Sequence, residues 1–440
     1  MATPTNILQQ VQTYQRANLA LLQNQSPFIA TANTKFKDFE QITANLGSTV
    51  TFDLPPRFTT TNGLVATFEP AVQNVETLKV DQAVNTSYAF TAQERIFNVE
   101  KDTESYMWNF GKSAVAQIGT TVEANVALNA NSSVYDSITA SFNSYSGPFR
   151  FFGDGISAIN SYQQLAQMIA NFKNFGSVRE GIKVYLSDTM IPAVVGSGLN
   201  NFVPRRNDDI AMSWEVGTFG TPPVDYYISN LLPTQVAGNV GNDGTTLTVV
   251  STNDPTGNNI TQITFSGASA SDADAIMYGD MAQFQDGVSG QPNLRFLTYI
   301  GQVVSSQPVQ FRATASAGSS GGGNVTVNIL PGLSINPASN TNSVQYINNN
   351  IVAGMQVKFL PSHRCGLILG GNSFFLAMPR LPDQYPYPTA NEYDEDTCVS
   401  IRMTYGSIFG KNQLGMVHDC IWGSVVVPVY SMRIAIPLSQ

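Results

Sequence analysis

The apolar positions of this chain change their period several times, and those changes divide it. Residues 5–24 carry Ile7, Leu8, Val11, Tyr14, Leu21 and Leu22, a helical spacing with a polar opposite face. Pro4 stands where a helix start tolerates proline. The segment predicts an amphipathic arm that needs a partner surface. From 48 to 54 the period becomes two. Val50, Phe52 and Leu54 alternate with Thr49, Thr51 and Asp53 until Pro55-Pro56 stops the run. Residues 64–68, 75–80 and 84–90 are further strand-like runs. Residues 48–90 therefore predict a long β-hairpin with loose turns, which is marginally stable alone and must lie on something. Val50, Phe52, Leu54, Leu64 and Phe68 are its candidate contact residues toward a neighbouring subunit.

Helical spacing returns over 94–130, where Tyr106, Phe110, Ala114, Ile118, Val122 and Val126 recur every four residues, flanked by Met107 and Val115. A continuous helix there would span about 55 Å at ~1.5 Å per residue. Gly111 and Gly119 argue against an unbroken run. A second helix is predicted over 158–173 through Ile159, Tyr162, Leu165, Ile169 and Phe172, and a strand over 182–186. From Pro222 to Pro361 helical periodicity nearly vanishes. Short strands at 245–251, 260–265, 309–315 and 325–330 are separated by turn-rich stretches, among them Asn242-Asp243-Gly244 and the glycine–serine loop 318–323. This stretch predicts a small β-barrel or sandwich inserted into the main fold. Longer strands follow in 363–440, with Val399, Ile401 and Met403 alternating and 425–429 leading to 433–436. No repeat of fixed period is present.

A chain of 440 residues has room for two or three domains or one discontinuous assembly. Only 12% of it is charged, against a usual share of about 25%. The surface must be covered largely by Asn, Gln, Ser and Thr. Such a surface suits contact with protein, because a buried charge costs more to desolvate than a hydrogen-bonded neutral group. The same residues would equally fill loops and strand faces. The net charge is −9 and the 22 Lys and Arg are scattered, Arg205-Arg206 being the densest spot. That pattern lacks the basic stripe that gripping nucleic acid requires, though an acidic chain can still surround DNA. Cys365, Cys398 and Cys420 make an odd set that fits a reducing cytosol. The first residues lack a signal-peptide pattern, and no run of about 18 apolar residues occurs. The nearest, 366–378, is interrupted by Gly370, Gly371, Asn372 and Ser373. The expectation is a soluble protein made in the cytosol.

Candidate chemistry is sparse. His363-Arg364-Cys365 and His418-Asp419-Cys420 together offer four zinc-ligand types, but neither pair shows the Cys-x₂₋₄-Cys knuckle. The plainer reading is two strand histidines and two small buried thiols. Glu392, Asp394, Glu395 and Asp396 lack EF-hand spacing, as does Asp272-Ala273-Asp274. The loop 318–323 lacks the Lys-Ser/Thr of a phosphate-cradling loop, and neither a Gly-x-Ser-x-Gly elbow nor a His-Glu-x-x-His is present. The expectation is no catalytic residue, no metal and no cofactor.

The order arm, hairpin, long helix, mixed region, β insertion and β-rich tail resembles the major capsid (coat) proteins of tailed bacteriophages, with their Hong Kong 97-type α+β fold. On that resemblance 1–45 is the N-terminal arm, 46–90 the extended β-hairpin loop and 91–150 a peripheral domain with the spine helix. Residues 151–221 are the first peripheral and axial part, 222–361 an inserted β-barrel domain, and 362–440 the C-terminal β-rich part. The insertion resembles that of the short-tailed Salmonella phage P-twenty-two type. The residues that carry this are Gly279-Asp280, Phe284, Gly287-Val288, Asn293 to Thr298, Gly301, Gln310-Phe311-Arg312-Ala313, the run from Val325 to Pro331, and Gln345-Tyr346-Ile347-Asn348. Gly371-Asn372-Ser373-Phe374-Phe375-Leu376-Ala377 and Pro379 resemble the return strand. Of these, Gly279, Asp280, Gly287, Val288, Phe311 and Pro331 are the family motif of the insertion. The chain departs from the pattern by its poverty in charge, which bears on whether salt bridges set its contacts.

The resemblance implies self-assembly into hexamers and pentamers of an icosahedral head, with portal and scaffolding proteins as partners. It implies packaged double-stranded DNA enclosed without sequence-specific binding, no membrane, and a place in the virion after assembly in the host bacterial cytoplasm. A β-rich phage tail-fibre or surface binding protein is the alternative, against which the helical stripe at 106–126 counts. A hydrolase comes third, favoured only by the His/Cys pairs.

Overall fold

The structure, a computed structural model, describes residues 27–33, 49–54, 74–91, 103–131, 135–136, 141–142, 147–176, 181–190, 224–336, 344–371, 373–383, 387, 389–394, 399–408, 410–411 and 413–438. These residues are mostly β, with helices laid on sheets. The predicted arm at 5–24 lies outside them.

The central strand of one sheet is Gln413–Val426. It pairs antiparallel with Val399–Ser407, with Gln82–Thr91 and, at its C-terminal end, with Phe374–Ala377, while Thr389–Asp394 extends the sheet beyond Val399–Ser407. The helix Thr103–Asn131 lies against it. Val115, Ile118, Val122, Val126, Ala127 and Ala130 are buried in one cluster with Phe374, Leu376, Cys420, Trp422 and Val426. The sequence stripe thus faces the sheet from Ala114 onward, while Phe110 is 41% exposed and meets Phe90 edge-on at 5.3 Å. The helix is continuous through Gly111 and Gly119. Burial of its apolar face, worth roughly 1.5–3 kcal/mol per large side chain, outweighs the roughly 1 kcal/mol that each glycine costs.

A second sheet runs in the order Phe151–Phe152, Ser431–Pro437, His363–Leu369, Lys183–Leu186, Asp225–Ile228, and Thr234–Gln235 also pairs with His363–Leu369. The helix Tyr162–Asn174 covers one face. It starts with a capping box, in which Ser161 Oγ accepts the Gln164 N–H at 3.2 Å and Gln164 Oε1 accepts the Ser161 N–H at 3.1 Å. Leu165, Met168, Ile169 and Phe172 are buried with Val184, Ile368, Met432, Ile434 and Ile436.

Between Thr234–Gln235 and His363–Leu369 the chain closes a barrel. Thr246–Thr252, Ile260–Ser266, Val325–Ser334, Gln310–Ala313, Met281–Phe284 and Gln356–Phe359 each pair antiparallel with the next, and the last pairs with the first. Closure leaves these strands no open edge. Phe311 is central, with the rings of Phe265, Phe284 and Phe359 at 6.2, 5.8 and 5.9 Å. The barrel interior continues into one cluster with Phe149, Phe175, Val427 and Val429 of the body. Since Thr234–Gln235 and His363–Leu369 are paired, the chain leaves and re-enters the second sheet at adjacent positions.

The hairpin differs from its sequence reading. Thr49–Leu54 pairs antiparallel with Asn74–Lys79, but Gln82–Thr91, which the period-two pattern joined to it, pairs with residues 413–422 of the first sheet. Alternation reports that a strand has two unlike faces and is silent on its partner. Leu78 and Val80 seat the base of the hairpin in a cluster with Ala377, Ile421 and Val425. The chain crosses the sheet there so closely that a Cβ on Gly423 would stand 2.1 Å from the Lys79 carbonyl oxygen. Gly423→Ala should therefore displace the base and lower stability by about 1–3 kcal/mol, the usual penalty of overpacking. A urea midpoint unchanged from the parent would refute the crossing.

Candidate functional site

Val50, Phe52 and Leu54 hold alternate positions on Thr49–Leu54, opposite Leu78, Glu76 and Asn74. Leu64 and Phe68 lie outside the described residues. The hairpin forms a two-stranded sheet of its own, and Leu78 and Val80 join it to the body at its Lys79 end.

The motif residues of the insertion separate into three places. Gly279 and Asp280 stand at the neck, where the barrel meets the second sheet. The Asp280 carboxylate is 2% exposed. It accepts the Met277 N–H at 2.8 Å, the Gly238 N–H at 2.9 Å and the Gln235 amide at 3.0 Å. One side chain thus ties the start of a barrel strand to the segment leaving the sheet. Burial pushes its pKa up to about 6, opposed by those donors and by Arg433. Gly279 has φ +85°, and a Cβ there would stand 2.8 Å from Gln235 Oε1, so the position favours glycine twice over. Phe311 fills the barrel. Gly287, with φ +73°, lies in an exposed turn beside half-buried Val288, closed by its N–H to Asn293 Oδ1 at 3.0 Å and by Arg295 on Asp286 at 2.7 Å. Pro331 is buried in Val325–Ser334.

Other buried polar groups complete the neck, and of these the sequence reading named only Gln310. Arg433, on Ser431–Pro437, is wholly buried. It donates to the Gly279 carbonyl at 3.1 Å and to the carbonyl of Asn131, the last residue of the long helix. The Gln310 side chain of the barrel pairs with the backbone of Phe151, accepting its N–H at 2.9 Å and donating to its carbonyl at 3.1 Å. Arg150, also wholly buried, lies 4.0 Å over the Phe175 ring and donates to the Val429 carbonyl at 3.2 Å. Burial lowers its pKa to about 9. A signal existed for Arg433: it is the one charge within Ser431–Pro437, a strand otherwise apolar enough to predict burial on both faces.

The histidine–cysteine pairs lie in different sheets, His363 and Cys365 on His363–Leu369, His418 and Cys420 on Gln413–Val426. His363 donates Nδ1–H to the Pro361 carbonyl at 2.7 Å, and His418 Nε2 lies 3.3 Å from the Tyr88 hydroxyl. Burial drives both imidazole pKa values down to about 4 and lifts the Cys420 thiol to about 12. Among the described residues no group of three or more His, Cys, Asp or Glu converges to hold a metal. Cys398, Glu395 and Asp396 fall outside those residues. No helix among the described residues is long and apolar enough to cross a membrane. The arrangement does mechanical work: it sets the barrel on the body through directional bonds.

No family model matches the chain, and no curated protein matches it. Among solved structures it is similar to the capsid of Ralstonia phage GP4, at 11% identity over 94% of this chain and 89% of that one, TM-score 0.41. It is similar to the capsid of the cyanophage P-SCSP1u at 11% identity over 92% and 88%, TM-score 0.37. A virus-like particle from Pyrococcus furiosus follows at 7% identity over 96% and 97%, TM-score 0.35. Scores of this size fall below what establishes a shared fold.

Removing the Asp280 carboxylate leaves the Gly238 and Met277 N–H groups without their acceptor, while the Gln235 amide keeps the Tyr278 carbonyl at 3.0 Å. Asp280→Ala should lower unfolding stability by about 2 kcal/mol or more, at roughly 1–3 kcal/mol per unmade bond. Asp280→Asn, which keeps an acceptor, should cost less. A urea midpoint for Asp280→Ala unchanged from the parent would show that the carboxylate does not hold the neck.

Proposed function

We propose that the chain is the major capsid (coat) protein of a tailed bacteriophage, in a Hong Kong 97-type fold, which self-assembles into an icosahedral head around double-stranded DNA. The observation that carries this reading is the hairpin. Thr49–Leu54 and Asn74–Lys79 pair with each other and with no other described strand, and Leu78 and Val80 seat them on the body at one end. A two-stranded ribbon is marginal in water, and its apolar positions Val50, Phe52 and Leu54 require a cover. A neighbouring copy supplies one in a shell. Leu64 and Phe68 belong to the same proposed contact.

Two further features support the reading. The closed barrel leaves and re-enters the second sheet between paired strands, as an inserted domain would, and we assign 222–361 to it. The surface is poor in charge, so contacts between copies bury few ions. The partners on this reading are hexamers and pentamers of the chain, a portal ring and a scaffolding protein. With a net charge of −9, the lining encloses DNA without gripping a sequence. Assembly takes place in the host bacterial cytoplasm and the product is the virion. No catalytic step, metal or cofactor is part of the proposal.

Purified full-length protein should sediment as large particles and show shells, tubes or polyheads by electron microscopy. A small monodisperse species at every concentration tested would overturn the proposal. Phe52→Asp should leave the circular dichroism of the subunit unchanged and abolish or distort particles. A buried apolar contact worth roughly 1.5–3 kcal/mol is then replaced by an unpaired charge in every copy. Normal particles from this variant would show that the hairpin is not an intersubunit element.

A further inference from the structure

The segment Pro27–Asn33 is strapped to the body from several sides. The ring of Phe28 stacks on Tyr185 at 4.1 Å and meets Phe374 edge-on at 6.2 Å. The Thr31 hydroxyl lies 2.5 Å from the Tyr185 hydroxyl, and Lys183 Nζ donates to the Thr31 carbonyl at 2.5 Å. Asn33 bridges to the strand Phe374–Ala377, its N–H on the Phe374 carbonyl at 3.0 Å and its carbonyl taking the Leu376 N–H at 3.2 Å. The remaining anchor is Glu123 of the long helix, 1% exposed, whose Oε1 accepts the Phe28 N–H at 3.0 Å.

Glu123 is the unusual member of this set. Its second oxygen, Oε2, is buried without a hydrogen-bond partner among the described residues. A neutral carboxyl fits that setting better: Oε1 keeps its backbone donor, the proton sits on Oε2, and the cost is one unpaired O–H instead of a buried charge. An ionised one fits it worse, because the anion is desolvated with donors on one side only.

We propose that Glu123 is a proton-operated clasp, which in its neutral form holds residues 27–33 against the long helix and in its charged form loosens them. Burial pushes its pKa up to about 7, with the Phe28 and Ile29 backbone N–H groups opposing. The short helix Pro27–Thr31 brings no charge to the site. Lys183–Leu186 brings Tyr185, raised by burial, and Lys183, lowered by burial and lifted by Asp225. Asp225–Ile228 brings Tyr227, also raised, beside Asp225. His363–Leu369 and Gln413–Val426 bring the Cys365 and Cys420 thiols, both pushed up, and His418, which is neutral above its value of about 4. Asp419 is bound by Arg402. The proton balance follows from the raised value. The docked segment binds more protons than the released one between the ordinary glutamate value of 4.5 and about 7, so docking weakens as pH rises through that window. The inference goes beyond the shell reading and does not depend on it.

Hydrogen–deuterium exchange of the full-length protein reads the clasp directly. The amides of residues 28–33, corrected for intrinsic exchange, should lose protection by about tenfold per pH unit from pH 5 to 7 and level off above, as one linked proton requires. Glu123→Gln keeps the acceptor without the charge and should give high protection that does not change with pH. Tyr185→Phe removes the Thr31 contact and should lower protection while retaining the slope. The amides of the barrel strand Val325–Ser334 serve as the reference for global opening. A flat profile in the parent protein, or a slope that survives in Glu123→Gln, would overturn the proposal. If Glu123→Gln fails to fold, the parent and Tyr185→Phe profiles decide: two equal slopes confined to 28–33 support the clasp, and two flat ones end it.

Discussion

A buried arginine needs its whole environment in place at once, and Arg433 has drawn that environment from three parts of the fold. Its guanidinium is sealed from water, and its acceptors are the carbonyl that ends the long helix and the Gly279 carbonyl at the barrel neck. The helix end supplies more than a lone pair, since the C-terminal carbonyls carry the negative pole of the helix dipole. Among the described residues no carboxylate forms an ion pair with it; Asp280 acts on it through space. Retracting the helix or the barrel would leave a desolvated cation short of acceptors, a loss of several kcal/mol. The second sheet, the helix and the barrel are therefore coupled through one side chain.

The same logic explains which parts of the molecule were legible in the sequence. The stripe Ile118, Val122 and Val126 announced the helix because amphipathic periodicity is written locally, and the four barrel strands read at 245–251, 260–265, 309–315 and 325–330 announced themselves by length and alternation. Met281–Phe284 and Gln356–Phe359 were missed. Each is four residues long, no shorter than Gln310–Ala313, which was read, and each is held between two neighbouring strands. The partner of Gln82–Thr91 was illegible too. It lies more than three hundred residues away on Gln413–Val426, and nothing in a half-buried alternation names a partner at that distance.

The candidate site was legible in the same uneven way. Gly279-Asp280 stood out by resemblance, and the geometry gives the pair a physical role, a left-handed backbone beside a carboxylate with three donors. Arg150, Arg433 and Glu123 went unread, because their meaning lies in which carbonyls and N–H groups tertiary structure brings to them. The low charge content also acquires a sharper sense. Three of the 22 Lys and Arg are the wholly buried Arg150, Arg312 and Arg433. The outer surface is correspondingly poorer in cations than composition suggests, which leaves amides and hydroxyls to make its contacts.

Part of the join between barrel and body is apolar, through Phe149, Phe175, Val427 and Val429. Apolar contact is non-directional; it holds two parts together and tolerates small rotations between them. Hydrogen bonds weaken steeply as their angle falls, so they resist such rotation. Asp280 on Gln235 and Gly238, Gln310 on Phe151, and Arg433 on Gly279 are separate directional links that are satisfied together in one orientation. In a lone subunit a few degrees of freedom at the neck would matter little. In an assembly that repeats one contact over many copies, the same few degrees would accumulate as mismatch at every interface. On the shell reading, the burial of polar groups at the neck, which adds little net stability by itself, is the device that makes each copy present its contact surfaces at the same angle.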